Sequence, residues 1–226
     1  MTAVPTSPSA TARFRATRFL LSANQLTQLP PDQCREVALA GRSNAGKSSA
    51  LNVLTGQKKL ARISKTPGRT QLINYFEVDT ERYLVDLPGY GYAKVPEAMR
   101  KHWRQILQAY FAQRRSLGGL LLIMDIRHPL TPLDQQMLSW CGAQNLRVQV
   151  LLTKADKLKR GPALNTLQHV RKQLQRDYPQ ADAHLFSAMN STGVAATLNL
   201  LEQWLFPPAT APKNDQDDQD AVESTI

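Results

Sequence analysis

The stretch Gly41-Arg42-Ser43-Asn44-Ala45-Gly46-Lys47-Ser48 places a glycine, four residues and then Gly-Lys-Ser. That spacing makes a phosphate cradle. Its glycines let the backbone wrap tightly, so that successive N–H groups point at phosphate oxygens. Lys47 adds a point charge beside the β- and γ-phosphates, and the Ser48 hydroxyl suits a magnesium ion. A helix beginning near Gly46 turns its positive end onto the same phosphates. All eight residues, Gly41 through Ser48, are therefore candidate ligands. A glycine turn with an incidental lysine is the bland alternative. The context disfavours it, because an apolar run precedes the loop and a helical stretch, Ser49 to Leu54, follows it.

Two further constellations complete a nucleotide site. Asp86-Leu87-Pro88-Gly89 closes an apolar stretch. An aspartate there holds a magnesium shell through water, and the Gly89 N–H meets a γ-phosphate. Thr153-Lys154-Ala155-Asp156 ends another apolar stretch. The Asp156 carboxylate accepts from guanine's ring N–H and exocyclic amine. Adenine lacks that amine, so its entry leaves a buried charge unpaired, a cost of several kcal/mol on the order of magnitude. Lys154 lays its aliphatic stem along the base. Phe186-Ser187-Ala188 offers backbone N–H groups to the guanine oxygen. Alone, Asp-x-x-Gly is a common turn and Thr-Lys-x-Asp a solvated one. Together they follow the order phosphate, magnesium, base, and each lies just after an expected strand. The pattern predicts a guanine-nucleotide switch that hydrolyses GTP with Mg2+.

The elements that must position these residues alternate. Expected strands cover 36–41, 71–78, 82–86, 118–125, 147–153 and 183–187. Helices fall between them, with apolar faces marked by Met99, Trp103, Ile106, Leu107, Tyr110 and Phe111; by Leu133, Met137, Leu138 and Cys141; by Leu164, Leu167, Val170 and Leu174; and by Val194, Leu198, Leu201 and Leu205. The aromatic stripe from Trp103 to Phe111 reads as core rather than a base-stacking platform. The fold class is α/β: a single P-loop domain with a mostly parallel six-stranded sheet, helices on both faces and ligands at the carboxyl ends of the strands. Residues 1–18 read as a disordered arm, 19–207 as the nucleotide-binding domain and 208–226 as a disordered acidic tail.

With 226 residues and 42% hydrophobic content the chain buries a core without staples. Cys34 and Cys141 make no metal-ligand pattern and read as reduced thiols. No apolar run reaches the roughly 20 residues of a membrane helix, so the expectation is a cytoplasmic, monomeric protein. The N-terminal arm, with Arg13, Arg15 and Arg18 and no acid, also has the composition of an organellar transit peptide. The net charge is +10, and the last fourteen residues carry −4 of it, which leaves +14 on the remainder. A body this basic favours a polyanionic partner, and RNA is the commonest one in a cytosol; neither DNA nor a membrane is expected as a partner.

The chain resembles the EngB (YihA/YsxC) family of bacterial ribosome-assembly GTPases, within the translation-factor-related class, from about Phe19 to Phe206. The resemblance rests on Gly41 to Asn52, on Ser64-Lys-Thr-Pro-Gly-Arg-Thr-Gln71, on Asp86-Leu-Pro-Gly-Tyr-Gly-Tyr-Ala93 and on Thr153 to Asp156. It implies maturation of the large ribosomal subunit and contact with its rRNA, with a link to normal cell division and septation. It also makes Gly68, Arg69, Thr70, Gln71 and Leu72 part of the first switch. Thr70 then joins Ser48 and Asp86 as a magnesium ligand, and Lys47, Thr70 and Gly89 become the catalytic set. From chemistry alone Thr66 is an equal candidate for the Thr70 role.

Two departures from the commonest small-GTPase pattern affect mechanism. Thr153 replaces the usual Asn, so one amide contact tying the base loop to the phosphate loop is expected to be missing, a change the resembling family tolerates. Tyr90 follows Gly89 where many GTPases place a water-orienting glutamine, which implies slow turnover without a partner. Asn44 resembles residues that hold potassium beside the phosphates; an Asx-type loop bond is the alternative. Lys58, Lys59, Arg62, Lys65, Lys94, Arg100 and Lys101 form the expected rRNA-gripping surface near the switches. An RNA-associated binding module with incidental hydrolysis is the second reading, and another P-loop ATPase or kinase the third.

Overall fold

The computed structural model describes residues 10–61, 72–91 and 97–207. Its elements run α1 (Ala10–Arg15), β1 (Arg18–Ala23), β2 (Arg35–Gly41), α2 (Lys47–Leu54), β3 (Ile73–Asp79), β4 (Arg82–Asp86), α3 (Glu97–Gln113), β5 (Leu117–Asp125), α4 (Pro132–Ala143), β6 (Val148–Thr153), α5 (Arg160–Asp177), β7 (Ala181–Leu185) and α6 (Val194–Leu205). The strands form one sheet in the order β1-β3-β4-β2-β5-β6-β7. From β4 across to β7 all pairings are parallel, whereas β3 runs antiparallel to both β1 and β4.

Strand periodicity divides the interior in two. Along β5, Leu120, Leu122 and Met124 enter one core with Leu107, Tyr110 and Phe111 of α3, Met137, Leu138 and Cys141 of α4, and Val170 and Leu174 of α5. Leu121 and Ile123 point the other way, toward Phe14 of α1, Leu51 and Leu54 of α2, and Leu201 and Leu205 of α6. Because successive side chains take opposite faces, an unbroken apolar run is what a strand covered on both sides requires. The helices do lie on both faces; Leu107, Tyr110 and Phe111 of the stripe are core and Ile106 packs against it, whereas Trp103 at its start is only half-buried.

The sheet has seven strands, not the six expected. The addition, β1, is an edge strand whose register runs from Arg18↔Glu77 to Ala23↔Ile73. Phe19 and Leu20 stay exposed on it, and Phe19 meets the Phe76 ring edge-on at 5.9 Å. A strand solvated on one side and preceded by an arginine-rich polar stretch lacks the apolar continuity that marked the others.

The expected disordered arm over 1–18 is also corrected from Ala10 onward. Residues 10–15 are helical, and Phe14 is fully buried. The Arg13 guanidinium lies 4.0 Å above the Phe206 ring and pairs with Glu202, fastening α1 to the end of α6. One buried aromatic and one cation over a ring give a six-residue helix the tertiary support that its own length cannot. Residues 1–9 and the acidic tail over 208–226 lie outside the described residues.

Parallel register brings the carboxyl ends of four strands to one rim. Leu39 pairs with Asp86, Gly41 with Ile123, and Asp125 with Thr153. The loops that leave this rim carry the candidate chemistry.

Candidate guanine-nucleotide site

The first loop leaves β2 at Gly41, where a Cβ would stand 2.6 Å from the Ile123 carbonyl oxygen. Only glycine fits so close to a neighbouring backbone. Asn44 and Gly46 both have positive φ, 62° and 103°, and these left-handed turns curl the chain over the start of α2. The curl is closed by Ala45 N–H donating to Arg42 O at 3.0 Å, and Ala50 N–H donates to Gly46 O at 2.9 Å as the helix begins. Ser48 lies in the first turn of α2, and its hydroxyl makes no hydrogen bond among the described residues.

Asp86 ends β4 beside this loop, buried, and forms an ion pair with Lys47 Nζ. The two residues assigned to phosphate and magnesium are thus in direct contact. Leu87 is fully buried and its N–H donates to Leu39 O at 3.0 Å, so its side chain anchors the turn from within the core instead of lining the site. Gly89 lies against the loop: a Cβ there would be 3.7 Å from Gly41 O and from Ser43 N. Tyr90 continues the contact, donating from N–H to Gly41 O at 3.4 Å and accepting from Ser43 N–H at 2.9 Å.

The base loop leaves β6 at Thr153. Its hydroxyl hydrogen-bonds the Ala45 carbonyl and stands 3.0 Å from Met124 O. The tie between base loop and phosphate loop expected to be lost with asparagine is therefore present, made by a hydroxyl instead of an amide. Lys154 adopts φ 58° and reaches back across the loop, its Nζ 2.7 Å from Asn44 O and 2.9 Å from Asp125 Oδ2. Asp156 accepts from Ser187 Oγ at 2.6 Å, which joins the base loop to the segment after β7. In that segment Phe186 packs in the core and its N–H serves Leu152 O, while Ser187 N–H serves Thr192 O. Of the three N–H groups expected to face the base oxygen, Ala188's alone makes no hydrogen bond among the described residues.

Phosphate, magnesium and base candidates thus form one continuous rim. Gly68, Arg69, Thr70 and Gln71 fall outside the described residues, and Leu72 stands at their border, its carbonyl 3.4 Å from Asn74 Nδ2. Asp125 escaped the sequence reading. It accepts from Arg127 Nε at 2.9 Å and Nη2 at 2.7 Å as well as from Lys154. Arg127's hydrogen bonds, seconded by Lys154 and opposed by burial, hold its carboxyl well below the usual range. Its signal was its place, closing an apolar strand on the same rim as Asp86 and Thr153.

Residues 36–154 match the family of 50S ribosome-binding GTPases. The probable GTP-binding protein EngB of Nitrosococcus oceani is 56% identical over 192 residues, covering 85% of this chain and 96% of that protein. The chain belongs to the EngB family of P-loop GTPases. Its EngB relative from Methylobacillus flagellatus is 53% identical over 195 residues, covering 86% of this chain and 94% of that protein. Membership makes the chain a GTP-binding and GTP-hydrolysing protein of the EngB type. In fold it matches a crystal structure of a probable GTP-binding protein engB with TM-score 0.62 at 19% identity, over 75% of this chain and 98% of that one. Era, solved with MgGDPNP and a 16S ribosomal RNA fragment, shares the fold at TM-score 0.58 and 23% identity, over 81% of this chain and 60% of that one.

Proposed function

We propose that this EngB-type GTPase acts as a switch in assembly of the large ribosomal subunit, gripping rRNA in one nucleotide state. The observation that carries the nucleotide part is the joining of the two loops: Thr153 and Lys154 bond to the carbonyls of Ala45 and Asn44. A base held by Asp156 then has its phosphates delivered to the amides of residues 43–48. Asp156 accepts from the guanine N–H groups, Ala188 N–H donates to the guanine oxygen, and Lys154 covers the ring. Ser187, bonded to Asp156, holds that carboxylate in position.

The oxygen donors suit magnesium: the Ser48 hydroxyl and the buried Asp86 carboxylate stand on adjoining elements, with Thr70 as the third expected ligand. When bound, the ion neutralises charge on the β- and γ-phosphate oxygens. With a nucleotide bound, phosphate oxygens would take the place of Asp86 as the counter-charge of Lys47, and the Asp86 carboxylate would be free to hold magnesium. Water attacks the γ-phosphorus, the bond to the bridging oxygen breaks, and GDP and phosphate leave. Gly89 N–H marks the presence of the γ-phosphate. Asn44 is exposed and its side chain makes no hydrogen bond among the described residues, so the Asx-type alternative is not what holds it and its oxygen is open to a potassium ion.

Competition binding with fluorescent GDP tests the reading. GTP should compete and ATP should not, and Asp156→Asn should shift preference toward xanthine nucleotides. Equal competition by ATP overturns it. Turnover stimulated severalfold by large-subunit precursor particles, falling with added salt, supports the rRNA partner; turnover indifferent to particles favours a binding module with incidental hydrolysis.

A further inference from the structure

Tyr90 is the first residue beyond Gly89, and both of its ends are fixed. Its backbone extends the parallel pairing of the rim, bridging to Arg42 through the bonds to Gly41 O and Ser43 N–H. Its side chain packs against the core, and the phenol donates to Asp134 Oδ1 at 2.7 Å. Asp134 lies in the first turn of α4 and is only 1% exposed. Its other oxygen accepts from Thr131 N–H at 2.9 Å and from the Thr131 hydroxyl at 2.7 Å. The carboxylate therefore cannot turn toward or away from Tyr90 without undoing the N-terminus of α4.

Two further features keep the post rigid. At Gly91, with φ 78°, a Cβ would come 3.3 Å from Leu133 Cδ1, so the chain leaving Tyr90 lies directly on α4. Burial first, and then the Asp134 charge, push the Tyr90 phenol well above its ordinary value, which keeps it a donor. A ring held this way cannot orient water at the γ-phosphate.

We propose that Tyr90 and Asp134 are positioning residues: their hydrogen bond anchors Gly89 against the phosphate loop and so raises the affinity for GTP relative to that for GDP. This rests on the proposed contact of Gly89 N–H with the γ-phosphate. An amide fixed before the ligand arrives loses no conformational freedom on meeting it. GDP has no γ-phosphate, so it gains nothing from that order. Releasing the anchor weakens GTP selectively, whereas a merely structural bond would weaken both nucleotides alike.

The test measures affinities for fluorescent GDP and for a non-hydrolysable GTP analogue on the full chain. Tyr90→Phe should weaken the analogue about fivefold to tenfold and leave GDP within about twofold. Thr131→Val removes the hydroxyl bond but leaves the Thr131 N–H on the same carboxylate oxygen, so it should lower thermal stability and move the ratio much less than Tyr90→Phe does. Asp134→Asn, which keeps volume, should shift the ratio in the same direction as Tyr90→Phe and serves if the first variant misfolds. Equal weakening of both nucleotides, or a Thr131→Val ratio that moves as far as that of Tyr90→Phe, overturns the proposal. A wild type that binds no guanine nucleotide overturns the nucleotide reading itself, and the anchor with it.

Discussion

The Thr153 hydroxyl is held between two carbonyl oxygens, Ala45 of the phosphate loop and Met124 of β5, and is almost completely buried. It is also what the Gly46 turn packs against, 3.5 Å from a Cβ built there. Replacing it by valine keeps the shape and removes the donor, leaving a buried carbonyl unpaired. Thr153→Val should lower stability by about 1–3 kcal/mol. It should weaken GDP and GTP together, because the loop it steadies serves both. Equilibrium unfolding and GDP titration check this; affinities unchanged in a destabilised protein would show that the tie serves folding alone.

Asp125 holds Lys154 over the phosphate loop, and Arg127 holds Asp125. Asp125→Asn keeps the volume and removes the charge that fixes the lysine. The expected result is faster GDP release, about tenfold on the order of one charge-assisted hydrogen bond. Arg127→Ala should have a smaller effect in the same direction, since Lys154 remains paired. Stopped-flow displacement of fluorescent GDP measures both. If Arg127→Ala releases GDP faster than Asp125→Asn, the order of support is reversed.

What was legible in the sequence follows from where each element buries its surface. β5 and β6 are covered on both faces, so their apolar runs marked them nearly residue for residue. The rim residues at their ends followed. β1 and α1 were not legible because their support is tertiary: Phe14 is buried by α6 and the sheet, and Arg18 pairs with Glu77, contacts that no local pattern announces. Thr153 was misjudged for a related reason. A missing amide says nothing about a hydroxyl whose acceptor is 108 positions away in the chain. Asp125 and Asp134 were passed over because each is a single acid at an element boundary, and only the fold sets one against Lys154 and the other against Tyr90.

Acid sensitivity has an identifiable source in His184. Its Nε2 lies 2.9 Å from Thr197 Oγ1, whose own proton goes to Gly193 O at 2.8 Å, so Nε2 carries a hydrogen and donates. Burial lowers its pKa, with Arg171 adding to the effect and Asp182 opposing it. The folded state therefore binds a proton less readily than the unfolded one. Its stability contribution is full above the unfolded value of about 6.5 and is lost as pH falls through the depressed folded value. Urea unfolding from pH 7.5 to 5 should show stability falling with acid, and His184→Gln should flatten that slope. A slope unchanged in the variant would place the sensitivity elsewhere.

At the opposite end of the sheet from the nucleotide rim, Glu36 is a fully buried carboxylate at the start of β2. Tyr75 Oη donates to it at 3.0 Å, Tyr110 Oη at 2.9 Å and Arg114 Nε at 2.9 Å. Arg114 continues to Pro30 O at 2.8 Å, so one ion pair fastens α3 to both β2 and the chain before it. Burial, and then Glu36 itself, push the Tyr75 and Tyr110 phenols upward, which keeps both as donors. Removing one partner of a buried pair leaves the other uncompensated, typically about 3–5 kcal/mol. In a chain of this size that is a melting temperature lower by about 10 °C. Glu36→Ala should show this loss in full. Glu36→Gln should show less of it, because its carbonyl still accepts from one phenol or from Arg114. Neither should alter the affinity for GDP at a temperature where the variant is folded, since the network touches no residue of the rim. A variant that keeps its melting temperature would show that water or a rearranged Arg114 compensates the pair. One that melts as expected but also releases GDP faster would show that α3 carries the disturbance from this end of the sheet to the nucleotide rim.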